Sequence, residues 1–156
     1  MDTLTGFDIA RAQVSEGDVA TLLDRHFELM RSQSPAESCH VLPSEDLAAD
    51  DISLFALRDH GQILAIGALR SFGDWGELKS MHTAQEARGR GAGRAMVAAL
   101  MQEARALGLK HLNLETGSGD EHLAARKLYE KAGFSECPPF GDYVDDPLSV
   151  FMTRAL

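Results

Sequence analysis

Apolar residues along this chain switch between two spacings, and each switch marks the edge of an element. Phe7 to Val14 alternates weakly and reads as a first strand. Ser15 then offers a helix N-cap, with Asp18 three residues later in the manner of a capping box. Val19, Leu22, Leu23, His26, Phe27 and Met30 follow at helical spacing, and this helix stops near Ser34-Pro35. Ser34 to Asp51 is polar and irregular, a loop with a short helical piece. Ile52 to Arg58 and Ile63 to Ser71 read as strands joined by a tight turn at His60-Gly61. Gly73-Asp74-Trp75-Gly76 is another turn, leading into a strand from Glu77 to Thr83. Met96, Val97, Leu100, Met101, Ala104 and Leu107 mark one face of a long helix that Gly108 closes. His111 to Thr116 is a further strand, and Asp120 caps a helix carrying Leu123, Ala124, Leu128, Tyr129 and Ala132, ended by Gly133. Phe134 to Cys137 and Val150 to Arg154 are closing strands. The unit from Glu77 to Thr116 demands a parallel crossover, so the class is mixed α/β.

Composition narrows the range of functions. A chain of 156 residues fits one domain, residues 1–156, and 44% apolar residues supply a core. The 24 acids against 15 Lys plus Arg leave a formal net charge of −9, which argues against nucleic acid as a partner. A cationic or amine substrate is compatible with that charge. Cys39 and Cys137 have no metal-ligand spacing and suggest no disulfide framework, and no metal site is expected. No basic region followed by an apolar run opens the chain, and no apolar stretch approaches ~18 residues. The expectation is therefore a cytoplasmic protein with no membrane partner.

The chemistry concentrates at Arg88-Gly89-Arg90-Gly91-Ala92-Gly93-Arg94, between a strand and a helix. Alternating glycines let main-chain N–H groups turn inward and approach a ligand, and the helix start adds its positive dipole end. Together these favour phosphate oxygens. A nucleoside-triphosphate loop would need Lys-Ser or Lys-Thr after the glycines, and neither is present. A dinucleotide fingerprint would place Met96 where its third glycine belongs.

Arg88-x-x-Gly91-x-Gly93 resembles the pyrophosphate-binding signature of the GCN5-related N-acetyltransferases (GNAT). Downstream, Ala125-Arg126-Lys127-Leu128-Tyr129-Glu130-Lys131-Ala132-Gly133-Phe134 looks like the family's L-Y-x-K-x-G-F block. Ser34 to His40, Glu77 to Met81, Leu114 to Ser118 and Phe140 to Tyr143 look like a group of small bacterial members with no assigned acceptor. The resemblance implies a GNAT fold: a twisted, largely antiparallel sheet of six to seven strands, flanked by about four helices, with parallel strands splayed around an acyl-CoA site. It also implies acetyl-CoA (coenzyme A) as co-substrate, an acyltransferase activity and a small-molecule amine acceptor. A homodimer is compatible with the family, though nothing in the sequence fixes an interface.

Within that resemblance, residue roles follow by position. Main-chain amides of Gly89, Arg90, Gly91, Ala92, Gly93 and Arg94 would hold the diphosphate, with the Arg88 and Arg94 side chains adding charge. Met81, His82 and Thr83 lie where the pantetheine arm pairs like an added strand, although alternation turns His82 to the opposite face from Met81 and Thr83. A main-chain N–H near Met81 would stabilise the oxyanion. His122 stands where many members carry Asn, and it and Arg126 fall beside the cofactor. Tyr129 matches the tyrosine that protonates the departing thiolate; a phenol near pKa 10 exchanges a proton with a thiol almost evenly. Glu77 and Glu115, on the two splayed strands, are both candidate bases, each also readable as a structural carboxylate. Ser38, His40 and Asp142 fall in the segments that build the acceptor pocket. His26, on the apolar stripe of the first helix, reads as a packed core histidine. A protein N-acetyltransferase and a non-catalytic acyl-CoA-binding module remain alternatives to the small-molecule enzyme.

Overall fold

The computed structural model describes residues 7–33, 35, 40 and 44–156. Seven strands form one sheet: β1 (Phe7–Arg11), β2 (Ile52–Asp59), β3 (Gln62–Phe72), β4 (Trp75–Thr83), β5 (His111–Gly117), β6 (Ser135–Cys137) and β7 (Ser149–Ala155), in the order β1-β2-β3-β4-β5-β7-β6. Every neighbouring pair is antiparallel except β4 and β5. That parallel pair is the crossover the sequence requires. Three α-helices accompany the sheet: α1 (Gly17–Gln33), α2 (Ala92–Ala106) and α3 (Leu123–Lys131). Single 3₁₀ turns at Ser44–Ala48, Gln85–Ala87 and Asp120–His122 complete the described elements, so the expected fourth helix is represented only by these turns.

The core follows the apolar spacing. Val19, Leu22, Leu23 and His26 are the buried residues of α1, and Met96, Val97, Leu100, Met101 and Ala104 form the buried stripe of α2. The helices lie on opposite faces of the sheet. His82 meets His26 of α1, whereas a Cβ on Gly67 of β3 would collide with Met81, Met96 and Leu100. Gly67 is thus the residue that lets α2 settle close to the sheet.

Two boundaries differ from the sequence reading. The first helix starts at Gly17, not beside Ser15: the Ala20 N–H donates to the Glu16 carbonyl, and Asp18 is engaged by Arg58 through Nε at 3.0 Å and Nη2 at 2.9 Å. An arginine brought in from β2 outcompetes the local capping box. Strand β4 begins at Trp75, because its indole stacks on Phe72 across the turn at 4.5 Å between ring centroids. Aromatic pairing extends the hairpin through residues that read locally as turn.

Candidate active site

Strands β4 and β5 pair only from Trp75 opposite His111 to Leu78 opposite Leu114. Beyond Leu78 the two strands separate, and a gap opens in the sheet. In β4 the register with β3 also slips, since Lys79 faces Ala68 but His82 faces Ile66. The surplus residue is accommodated at Ser80, whose φ of 54° is left-handed. A bulge of this kind leaves one residue outside the ladder and re-aims those that follow. Leu78 and Met81, three apart, consequently both face α2, while Glu77, Lys79 and His82 face the α1 side.

One side of the gap is a groove of about 910 Å³ running from the glycine loop to Tyr129. Gly89 (φ 84°) and Gly91 (φ 83°) are both left-handed, and Gly91 is the N-cap of α2. A Cβ on either would meet no protein atom within 4 Å, so neither glycine is there for packing. They set the direction of the main-chain amides and leave their approach open. Gly93 differs. Its Cβ would come within 3.1 Å of Leu128, so it serves the contact between α2 and α3. Met81, His82, Thr83, Arg88, Ala92, Gly93 and His122 line the same groove.

Two of the anticipated cofactor residues have side chains engaged with protein groups. Arg90 pairs with Asp59 of β2 and covers the Phe7 ring at 5.6 Å. Arg126 donates to the carbonyls of Gly117 at 2.6 Å and Gly119 at 2.9 Å, bracing the loop after β5. Arg94 lines a neighbouring groove between α2 and α3, to which Gly91 and Gly93 of the glycine loop also contribute.

The other side of the gap is a smaller cleft of about 160 Å³, lined by side chains from distant parts of the chain. Glu77 is buried, not a solvated strand end. Its Oε2 accepts the Tyr143 hydroxyl at 2.6 Å and the Lys79 ammonium at 3.1 Å, and Lys79 also donates to the Tyr143 oxygen at 3.0 Å. Burial and the adjacent Glu77 charge push the Tyr143 phenol above its usual range, so it remains a neutral donor. Facing this triangle, Glu115 Oε2 takes the His40 Nδ1 at 2.5 Å and the Ser149 hydroxyl at 2.7 Å. The His40 ring stands edge-on to Tyr143, 5.1 Å between centroids, and joins the two groups. Asp142 is exposed and lines neither cleft; its neighbour Tyr143 takes the inward position. Ser38 lies outside the described residues, as does Cys39. Cys137 is partly buried, and burial raises its thiol, which keeps it unreactive.

Both cavities share one wall, made by His26, Met30, Met81, His122, Ala125 and Tyr129. Tyr129 is 6% exposed and packs edge-on against Phe134. Burial raises its phenol well above 10, so it holds its proton more tightly than the even match expected from sequence. His26 is the buried core histidine its spacing indicates, with its pKa lowered to about 3 by burial first and by His82 and His122 second. Its Nδ1 lies 3.2 Å from that of His82, whose pKa burial also lowers. One neutral ring donates and the other accepts. The His122 ring fills the space a Cβ on Gly117 would need, 2.0 Å from its Cδ2.

Lys79, Tyr143 and Ser149 were not singled out by the sequence reading. Glu77 and Lys79 carry a usable signal, since residues two apart in a strand share a face. Nothing local announces that Tyr143 or Ser149 will arrive there. No His, Cys, Asp and Glu cluster among the described residues is arranged to hold a metal ion, and no helix among them is long and apolar enough to cross a membrane.

A left-handed glycine turn at the start of α2 thus opens, beside a gap between parallel strands, onto a cleft lined by acids and bases. The model of the acetyltransferase (GNAT) family matches residues 19–134. The chain is 38% identical over 150 residues to an IAA acetyltransferase of Azospirillum brasilense, covering 95% of this chain and 97% of that one. It is also 38% identical over 139 residues to the uncharacterized N-acetyltransferase YsnE of Bacillus subtilis (strain 168), covering 88% and 92%. Among solved structures, a protein of Klebsiella pneumoniae subsp. pneumoniae MGH 78578, provisionally named an acyl-CoA N-acyltransferase, superposes with a TM-score of 0.78 at 27% identity, covering 99% of each chain. The chain belongs to the GNAT family of acetyltransferases. It is an acyltransferase, and the family uses acyl-CoA.

Proposed function

We propose that the chain moves an acetyl group from acetyl-CoA to a primary amine of a small molecule or amino acid, by direct transfer while both are bound. The observation that carries this reading is the pair of unequal cavities sharing the Tyr129 wall, about 910 Å³ on the glycine-loop side and about 160 Å³ on the other. A groove of the first size suits a long carrier. The second leaves room for a few heavy atoms beside the thioester, between His40, Glu77 and Glu115. A peptide acceptor would need an open channel there. The likeness to an IAA acetyltransferase supports a small acceptor.

Gly89 and Gly91 present main-chain amides to the diphosphate, and the bulge at Ser80 turns amide donors toward the thioester carbonyl. Tyr129 keeps its proton until the sulfur departs, and the same dry wall that raises the phenol also raises the leaving thiol. The amine's proton leaves on the side lined by Glu77 and Glu115.

The test is free-thiol release from acetyl-CoA across amino acids, aromatic amines, polyamines and peptides. Acceptor-dependent release confined to small amines is the expected result. Stabilisation by coenzyme A with no acceptor-dependent thiol would make the chain a binding module, and release with peptides alone would make it a protein acetyltransferase.

A further inference from the structure

We propose that His40 is the residue that takes the acceptor's proton, with Glu115 and Ser149 as its positioning residues. This rests on the acetyl-transfer reading and assigns its base. In each carboxylate of the cleft one oxygen, Oε2, already accepts two hydrogen bonds. Glu77 Oε2 is held by the Lys79 ammonium and the Tyr143 hydroxyl. Glu115 Oε2 already accepts two hydrogen bonds. One of those partners is His40 Nδ1, at 2.5 Å.

That contact has a chemical consequence. With the carboxylate accepting at Nδ1, the proton of a neutral imidazole sits on Nδ1, and the lone pair is left on Nε2. Ser149 fixes the carboxylate oxygen at 2.7 Å, and Tyr143 stands edge-on to the ring, so the imidazole is held from two directions. The His40 side chain is 30% exposed and lines the small cleft, where an acceptor would enter. A carboxylate that orients a histidine whose other nitrogen faces substrate is a general solution for proton abstraction. The charged and titratable groups that share the cleft with it are Glu115 on β5, Glu77 and Lys79 on β4, His26 on α1 and His122 before α3, and the Tyr143 ring in the loop before β7 touches it directly.

The step balances as follows. The acceptor ammonium gives one proton to His40 Nε2, which passes it to solvent. The freed nitrogen lone pair forms the C–N bond at the thioester carbon. The C–S bond then breaks, its electron pair going to sulfur, which takes the proton of Tyr129. The second nitrogen proton restores the Tyr129 hydroxyl, and one proton is released overall.

The test has two arms. In nitrogen-15 spectra of the full chain with acetyl-CoA bound, the neutral form of His40 should carry its proton on Nδ1 and none on Nε2, and Glu115→Gln should mix the tautomers. This arm needs no acceptor. In the second arm, turnover uses the amine that releases most thiol in the panel. His40→Asn retains a donor near the Nδ1 position for Glu115 but lacks Nε2; it should lower kcat about 10²-fold with the acetyl-CoA Kd within about twofold. The deficit should shrink at alkaline pH, where the amine deprotonates unaided, and added imidazole should restore part of the rate. His40→Gln should lose the same rate. A proton on Nε2 in the neutral imidazole of the wild type, or wild-type kcat in both variants, overturns the assignment. A panel with no active amine would instead defeat the acetyl-transfer reading, and the spectra would still decide the state of the imidazole.

Discussion

In the large groove one wall is a nearly continuous stretch from Met81 to Gly93, and the glycines there are defined by backbone angles. In the acceptor cleft the groups are side chains brought together from across the chain: Lys79 meets Tyr143 from 64 residues away, and His40 meets Glu115 from 75. The first kind of site is fixed by local conformation and tolerates change at most side chains. The second depends on the whole fold being correct, and each member is held by another. Under the proposed function, recognition of a common carrier sits in the main chain, and discrimination among acceptors in side chains.

The largest effect should arise where the two regions meet. Folded His26 titrates near 3 against an ordinary 6.5, so between those values the unfolded chain binds the extra proton. Stability should be fully present above that window and fall as pH drops through it, by up to about 1.4 kcal/mol per pH unit. His82 and His122 are lowered as well and add in the same direction. Urea midpoints measured from neutral pH to about pH 4 would show this, and a flat profile would separate the histidine wall from the stability of the fold.

Gly91→Val should weaken coenzyme A binding about 10²-fold by calorimetry. A branched side chain at φ 83° is strained by roughly 1–2 kcal/mol and occupies the ligand's path, though it meets no protein atom. Unchanged affinity would remove the main-chain cradle from the comparison. Tyr129→Phe should lower kcat about 10²-fold and leave the coenzyme Kd within about twofold, which places the residue at the chemistry and not in carrier binding. Equal turnover would make Tyr129 a packing residue. The smallest effect should be that of Arg90→Ala. Its guanidinium is spent on Asp59, so coenzyme affinity and melting temperature should both stay at wild-type values. A clear loss of affinity would return that side chain to the phosphate site.

The same contrast explains what the sequence disclosed. The glycine loop, the crossover and the apolar stripes of α1 and α2 were readable because each is a local pattern with a local physical cause. The places where the reading fell short were settled by partners from elsewhere. Arg58 drew Asp18 from its cap, and Phe72 drew Trp75 into a strand. Tyr143 displaced Asp142 as the inward residue because Glu77 and Lys79 offer it hydrogen bonds. The pairing of Glu115 with His40 was equally hidden, although both had been singled out separately.

Ser80 has a further implication for how such a chain can diverge. Because β4 holds one surplus residue there, odd-numbered positions before and after it look to opposite sides: 77 and 79 toward the acceptor, 81 and 83 toward the coenzyme. Selection can rewrite the first pair for a new amine and leave the grip on the carrier alone. Straightening the strand with Ser80 retained would exchange Met81 and His82 between the two faces, so the bulge itself keeps each on its side.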